Sequence, residues 1–355
     1  MRSSDPHEVL RRLAAAEAVV ANLPAPVVLV GADGLVREAN PAARAILPAL
    51  RIGQPLSYGL RAPDVLDAIE SVAAGATVKV EYGIRWPTER TFEVQITRPA
   101  QAGRGAADAD LAMLFFRDLT EARRLERMRV DFVANVSHEL RTPLASLVGF
   151  IETLQGPARD DPAARERFLA IMRTQAWRMT RLIDDLLSLS RIELREHVAP
   201  KARVDLRSIA AQMVETLSSM ARERGVTIGL APSETDATVL GDADELSRVV
   251  ENLVENAVKY GASGGRVDVD VAREGGDVAL SVRDHGPGIA HEHLPRLTER
   301  FYRVDVAESR QQGGTGLGLA IVKHILHRHR GRLEIESEPG KGALFRAIVP
   351  AADAG

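Results

Sequence analysis

The stretch Asp131-Phe132-Val133-Ala134-Asn135-Val136-Ser137-His138-Glu139-Leu140-Arg141-Thr142-Pro143-Leu144 decides how this chain is read. Val133, Val136, Leu140, Leu144, Leu147, Ile151 and Leu154 follow one another at steps of three or four, the apolar stripe of an amphipathic helix. At about 100° per residue, His138 falls roughly opposite the middle of that stripe and points toward water or a docking partner. Glu139 is its neighbour, and Thr142 lies one turn further along the same side. Pro143 removes a backbone donor inside the pattern, which predicts a kink just after His138. A single histidine on a helix is most often structural or solvated, so the helix alone assigns His138 no chemistry.

Working outward, the helical pattern runs from 119 through His138 to about 154. Gln155-Gly156-Pro157 through Asp160-Asp161-Pro162 breaks it, and a second helix over 163–196 carries Phe168, Met172, Met179, Leu182, Ile183, Leu186 and Leu189 at helical spacing. Two antiparallel helices of this length cannot hide both stripes alone. Pairing with a second copy into a four-helix bundle, a homodimer, is therefore expected, with Trp177 and the methionines as packing.

The run from Phe132 to Leu144 closely resembles the phosphoacceptor box of bacterial sensor histidine kinases. The resemblance implies a dimeric helical hairpin in which His138 takes phosphate from ATP, and a separate response regulator whose aspartate receives it. An imidazole nucleophile needs one nitrogen free while the other carries a proton, and Glu139 is placed to hold and then accept that proton. By the same resemblance Thr142 supports dephosphorylation of the regulator by orienting water.

Composition narrows the rest. The 355 residues allow two or three domains, and 45% hydrophobic residues with mean hydropathy −0.10 can fill real cores. Net charge of −3 offers no global basic field, so no direct nucleic-acid partner is expected. Cysteine is absent, which excludes disulfides, thiolate nucleophiles and cysteine zinc sites. The longest uncharged run near the N-terminus, 18–32, is short and interrupted by Pro24 and Pro26, so no bilayer span is predicted. A cytoplasmic chain is expected, any membrane association coming through a sensory partner.

Before the hairpin, 7–21 reads as a lead-in helix. Pro26 to Ala43 follows as a β-branched strand, an Asp33-Gly34 turn, a second strand and a helix start at Asn40-Pro41. Further strands are expected at 78–82, 91–97 and 111–117, with Asp118-Leu119-Thr120-Glu121 closing the unit and a polar loop over 99–110. This layout resembles a PAS sensory domain. No cysteine is available for a flavin adduct and no histidine between Ala18 and Glu121 for haem iron, so a cofactor-free module is expected. Tyr58, Tyr82, Trp86, Phe92, Phe115 and Phe116 read as core or edge positions.

After a linker near 197–201 come a helix over 206–224, strands near 226–230 and 238–241, a helix over 243–260, and two alternating strands over 266–272 and 278–283. A helix over 316–329 and strands over 332–337 and 343–349 finish the pattern. Helices segregated from a mixed sheet make a two-layer α/β sandwich. Within it, Asn252, Asn256, Lys259 and Tyr260 recur at helical spacing, and the first three can share a face. Asp284-His285-Gly286-Pro287-Gly288 follows a strand directly, and Gly313-Gly314-Thr315-Gly316-Leu317-Gly318-Leu319-Ala320 opens a helix. A lone Asp-x-Gly-x-Gly is more often a turn, and a glycine cluster at a helix start more often a cap.

With Leu297-Thr298-Glu299-Arg300-Phe301-Tyr302-Arg303, these blocks resemble, in order, the ATP-binding fold shared by histidine kinases, Hsp90 chaperones, type II topoisomerases and MutL. The resemblance implies Asn256 as the Mg²⁺ ligand, Lys259 as positive charge for the phosphates, and Tyr260 packing beside them. A carboxylate at a strand end, Asp284, can accept from the adenine amino group, with Gly286 and Gly288 permitting close approach. Gly314, Thr315, Gly316, Leu317 and Gly318 bring backbone N–H groups and a helix start to the triphosphate. Residues 289–313 have the character of a lid, with Arg303 at its edge a candidate for the γ-phosphate. His291, His293, His324, His327 and His329 are close in sequence, as a metal site would need, but the pair His324 and His327 on a helix end reads more readily as a solvated surface or C-cap feature.

The expected architecture is a multidomain α+β chain: an N-terminal lead-in (1–17), a PAS-like α/β sensory domain (18–118), a dimerisation and phosphotransfer hairpin (119–199) and an α/β-sandwich ATP-binding domain (200–355). Residues 296–324 are similar to the phosphate-regulon branch of the sensor kinases, although many relatives carry Ile-Phe where this chain has Leu297-Thr298. Phosphate-starvation signalling is the expectation. A kinase of another pathway, a non-kinase ATPase of the same nucleotide fold and a non-catalytic ATP-binding scaffold are the alternatives.

Overall fold

The computed structural model describes residues 18, 20–84, 88–99, 111–232, 235–305 and 313–352. Most of the lead-in helix expected over 7–21, Trp86, and the loop expected over 99–110 beyond residue 99 lie outside the described residues. The chain divides into two compact units, Met1–Val133 and Ala134–Gly355.

In the first unit, strands β1 (Val27–Gly31) and β2 (Val36–Ala39) flank the Asp33-Gly34 turn, where Gly34 takes φ +74°. Helix α1 (Pro41–Ile46) starts on Asn40, whose buried side chain accepts from the N–H groups of Ala43 and Val27 and so fastens helix to strand. Pro41 sits at the first helical position, where its missing N–H is not needed. Two short helices, α2 (Leu56–Gly59) and α3 (Pro63–Ser71), precede β3 (Thr77–Ile84), β4 (Arg90–Thr97) and β5 (Leu111–Asp118). The sheet runs in the order β2-β1-β5-β4-β3, antiparallel throughout. Phe92, Val94 and Ile96 alternate inward from β4 to meet Val28, Leu56, Leu114 and Phe116, while Tyr58 is exposed.

Helix α4 (Thr120–Gln155) follows, and its residues from 134 onward belong to the second unit. It stays one helix across Pro143. A six-residue break at 156–161 leads to α5 (Pro162–Arg195), whose N-cap Asp161 accepts from Ala164 N at 2.9 Å. Phe150 stacks on Phe168 across the hairpin with ring centroids 5.2 Å apart. Leu182, Leu189 and Ile192 are buried, but Val133, Leu144, Val148 and Ile151 of α4 and Leu169, Trp177, Ile183 and Leu187 of α5 are exposed. Each stripe is thus only half covered.

The remainder of the unit is built on β7 (Thr227–Leu230), β9 (Arg266–Glu274), β10 (Asp277–Asp284), β11 (Arg332–Ser337) and β12 (Ala343–Pro350), ordered β11-β12-β10-β9-β7. Only β7 and β9 pair in parallel. Helices α6 (Leu206–Glu223), α7 (Ala243–Tyr260) and α8 (Gly318–Arg328) form the second layer, and their apolar faces join the strands in one core. A small ribbon pairs β6 (Arg203–Asp205) with β8 (Thr238–Leu240); β8 falls within the strand expected near 238–241, whereas β6, three residues with too little alternation, was not expected.

Candidate active site

Helix α7 is two-faced. Leu246, Val249, Val250, Leu253, Val254, Ala257 and Val258 are buried against the sheet. Arg248, Asn252, Glu255, Asn256 and Lys259 recur at steps of one, three or four on the other side and line a cleft of about 430 Å³. Asp242 caps the helix start, accepting from Asp244 N at 3.1 Å and Glu245 N at 3.3 Å. Lys259 is buried and ion-paired with Glu255, which Arg181 of α5 also approaches at 3.7 Å. Asn252 donates to its own helix at Arg248 O, 2.8 Å, and its carbonyl oxygen stands where a Cβ on Gly318 would come within 2.4 Å. Gly318 therefore lets the start of α8 close on α7.

At the far wall, Asp284 ends β10 and is only 5% exposed. One carboxyl oxygen accepts from Gly286 N at 2.9 Å and Ala343 N at 3.3 Å. Burial pushes this carboxyl above its ordinary value, outweighing the two N–H groups that favour its charge. The turn around it is packed too tightly for side chains: a Cβ on Gly286 would meet Gly261 Cα at 2.6 Å, and Gly288, at φ +70°, would meet Glu338 O at 2.1 Å.

The glycine-rich loop crosses the segment that carries Arg303. Phe301 holds φ +65°, donates its N–H to Gly316 O at 2.7 Å, and sits where a Cβ on Gly316 would meet it at 2.9 Å. A left-handed aromatic residue costs about 1–3 kcal/mol, so this crossing is held by its surroundings. Thr315 is buried and donates to Asp185 of α5 at 2.8 Å, while accepting from Leu317 N at 3.3 Å. Asp185 also accepts from Arg248 at 2.7 Å. One hairpin carboxylate thereby joins α7 and the glycine-rich loop.

His138 is exposed, and its ring makes no hydrogen bond among the described residues. Thr142 donates its hydroxyl to the His138 carbonyl at 3.2 Å. Glu139 is drawn inward: its carboxylate accepts from Arg178 of α5 at 3.2 Å and from Arg303 at 3.0 Å. The edge of the cleft is thus bonded to the residue beside His138.

The cleft gathers Asn252, Asn256, Lys259, Tyr260, Asp284, Gly288, Arg303, Gly314, Thr315, Gly316 and Gly318. Two expected residues stand behind it rather than in it: Gly286 supports the Asp284 carboxyl, and Leu317 is buried under the loop. His138, Glu139 and Thr142 lie outside the cleft, joined to it through Arg303. Sequence reasoning missed Arg178, Arg181, Asp185 and Arg248, which look like ordinary solvated charges on helices. Of the histidines at the end of α8, His327 is exposed, as expected of a surface residue, and lies beside Glu196, while the half-buried His324 lies between Glu193 and Glu196 of α5. His329 is buried, taking the Asp242 N–H at 3.0 Å and bonding Ile325 O at 2.8 Å, and burial lowers its pKa. No group of three histidine or acidic side chains among the described residues forms a metal cage.

Two family models match the chain: the His Kinase A (phospho-acceptor) domain over residues 128–195, and the Histidine kinase-, DNA gyrase B-, and HSP90-like ATPase over residues 241–353. Among curated proteins, the phosphate regulon sensor protein PhoR of Pseudomonas aeruginosa is 43% identical over 235 residues, covering 66% of this chain and 52% of that protein. The sensor-like histidine kinase SenX3 of Mycolicibacterium smegmatis is 39% identical over 243 residues, 68% of this chain and 63% of that one. The chain thus spans between half and two thirds of the length of these relatives. Among solved structures, histidine kinase ThkA in complex with response regulator protein TrrA matches with TM-score 0.52 at 20% identity, covering 94% of this chain and 97% of that one, a likeness of fold. No helix among the described residues is long and apolar enough to cross a membrane.

Proposed function

We propose that this chain, which carries the phospho-acceptor and ATPase domains of the sensor histidine kinases, phosphorylates itself on His138 with ATP. The observation that carries the reading is the bond from Arg303, at the edge of the nucleotide cleft, to Glu139, the neighbour of His138. It links the two halves of the reaction within one compact unit.

In this reading Asp284 accepts from the adenine amino group, and the loop from Gly314 to Gly318 meets the phosphates. Asn256 offers a neutral amide oxygen, suited to a hard cation that takes its other ligands from phosphate and water. When bound, Mg²⁺ supplies charge neutralisation for phosphoryl transfer. Lys259 and Arg303 add to it, positioning being the main contribution. One His138 nitrogen forms the bond to phosphorus while Glu139 receives the proton from the other.

The phosphoryl group then passes to an aspartate of a response regulator, and Thr142 orients water for the reverse dephosphorylation. The half-covered apolar stripes of α4 and α5 support a homodimer built as a four-helix bundle. The sheet order β2-β1-β5-β4-β3 supports a PAS-like sensory module over 18–118, followed by the hairpin over 119–199 and the ATP domain over 200–355. Similarity to PhoR supports phosphate-starvation signalling from the cytoplasm, with any membrane contact made through a sensory partner.

Incubating the protein with Mg²⁺ and γ-labelled ATP tests this, beside His138→Ala and Asn256→Ala. Acid-labile, alkali-stable label on the parent alone is the expected result. ATP hydrolysis without labelled protein would instead favour a non-kinase ATPase.

A further inference from the structure

Glu139 receives two guanidiniums from different parts of the chain, and the two are not equivalent. Arg178 comes from the neighbouring hairpin helix, at 3.2 Å, and Arg303 from the nucleotide cleft, at 3.0 Å. The Arg303 side chain is 4% exposed and that of Glu139 14%, so this is no surface pair. Arg303 Nε is buried and has no hydrogen-bond partner. A buried N–H without an acceptor is unfavourable and calls for an explanation. Its position supplies one: Nε stands 3.2 Å from where a Cβ on Gly316 would be, against the glycine-rich loop. The guanidinium therefore bonds Glu139 through Nη2 while its Nε stays unsatisfied against the glycine-rich loop, in a side chain that lines the cleft. A planar fork of this kind prefers a bidentate oxyanion.

We propose that Arg303 exchanges anions, holding Glu139 while the cleft is empty and the γ-phosphate of ATP once it is filled, and that Arg178 is the positioning residue that keeps Glu139 beside His138 after the exchange. The inference rests on the reading that His138 takes the γ-phosphate and Glu139 its proton. Losing Arg303 takes one cation from a mostly buried carboxylate, which is costly for a pair in that setting. Arg178 stays bonded to Glu139 and limits that cost. Transfer then runs with the imidazole nitrogen bonding to the γ-phosphorus, the bond from that phosphorus to the bridging oxygen breaking, the electron pair leaving with ADP, and the second imidazole proton passing to Glu139. Triphosphate arrival is thus what frees the proton acceptor, and a diphosphate, lacking the γ-group, leaves the Arg303–Glu139 bond in place.

Two measurements on the full chain test the exchange and the positioning separately. Calorimetric titration compares the Mg²⁺ complexes of adenylyl imidodiphosphate and ADP. Glu139→Gln removes the competing charge, so the triphosphate analogue should bind about three- to tenfold tighter, the scale of one hydrogen bond, with ADP affinity unchanged. An unchanged ratio between the two nucleotides refutes the exchange. Single-turnover labelling across pH, run on Arg178→Ala and Arg178→Lys, tests the positioning. Arg178→Ala should slow labelling on the order of ten- to hundredfold, the range of general acid–base contributions, at unchanged nucleotide affinity. Its acid limb should move to higher pH, because a carboxylate with one cation fewer takes a proton more readily, and lysine should restore part of the rate. A uniform loss at every pH with no rescue by lysine would mark Arg178 as merely structural. Absence of label on the parent, or label surviving His138→Ala, would overturn the kinase reading itself. The binding comparison involves no phosphoryl transfer and decides the exchange either way.

Discussion

Replacing Asp284 by asparagine separates its backbone bonds from the adenine contact proposed for it. One carboxyl oxygen is committed to the backbone, accepting from Gly286 N at 2.9 Å and Ala343 N at 3.3 Å. The asparagine carbonyl can keep both bonds, so the turn survives. The second position changes from acceptor to NH₂ donor in a side chain that is 5% exposed and lines the cleft. Facing the adenine amino group, a donor meets a donor. A hydrogen bond to a charged acceptor, about 1.5–3 kcal/mol, is lost, and an unpaired buried donor adds about 1–3 kcal/mol. At 1.4 kcal/mol per tenfold, ATP affinity should fall on the order of a hundred- to ten-thousandfold. Inosine triphosphate offers a carbonyl at the same position and can accept from the new NH₂, so it should lose little.

Titration calorimetry with both nucleotides, on parent and Asp284→Asn, reads the result, with thermal melting to follow the fold. ATP binding within threefold of the parent, at an unchanged preference over inosine triphosphate, would refute the adenine contact. The pH dependence carries the same signature. Burial raises the folded-state pKa of Asp284 above its ordinary 3.8, so its contribution to stability is fullest below 3.8 and is lost as pH rises through the folded value. ATP affinity moves oppositely, weakening on acidification as the acceptor becomes protonated. Both dependences should vanish in the asparagine variant, which should melt no lower than the parent at pH 7.

Leu144→Glu combined with Ile151→Glu should turn a dimer into monomers in sedimentation, since each such side chain buried by a partner contributes about 1.5–3 kcal/mol and the pair occurs twice; an unaltered dimer would place the interface elsewhere. Gly288→Ala and Gly275→Ala both impose positive φ, at +70° and +62°, but only the former drives a Cβ to 2.1 Å from a carbonyl oxygen. Gly275→Ala should cost about 1–2 kcal/mol in urea unfolding and Gly288→Ala clearly more, equal losses being evidence against the packing described. For His329, burial depresses the folded-state pKa below 6.5. Its stabilising contribution is present above pH 6.5 and disappears as pH falls through the folded value, so unfolding free energy should decline on acidification, and His329→Gln should flatten that slope.

Long elements were readable because their periodicity repeats many times. Helices α4 and α5 lie within two residues of the spans expected from apolar spacing, and β11 matches at both ends. The polar face of α7 was readable too, since Asn252, Asn256 and Lys259 share a face on any helix and the apolar remainder fixes which face is inside. What escaped were short or non-local features. Strand β6 has three residues, and the left-handed conformation of Phe301 goes with the close passage of Gly316. His329 is the C-cap residue of α8, and nothing local says that the Asp242 N–H will close over its ring.

Helix α5 shows that a missed contact can still leave a readable trace. Arg178, Arg181, Asp185, Glu193 and Glu196 fall on one side of the helix, in a line about 120° broad at about 100° per residue. Four meet an opposite charge and the fifth a histidine ring: Arg178 meets Glu139, Arg181 meets Glu255, Asp185 meets Arg248, Glu193 meets Arg300, and Glu196 meets His327. The line is basic toward its start and acidic toward its end, a segregation that a randomly solvated face does not need. The more exposed of these, Arg181 with Glu255 and Glu193 with Arg300, contribute only about 0–1 kcal/mol each, and they weaken with salt over a Debye length of about 8–10 Å. Several in a row hold the nucleotide half against the hairpin without fixing it there. That strength suits a contact that must open if the cleft is to bring its phosphate to His138, whose imidazole stands exposed outside the cleft in the closed arrangement.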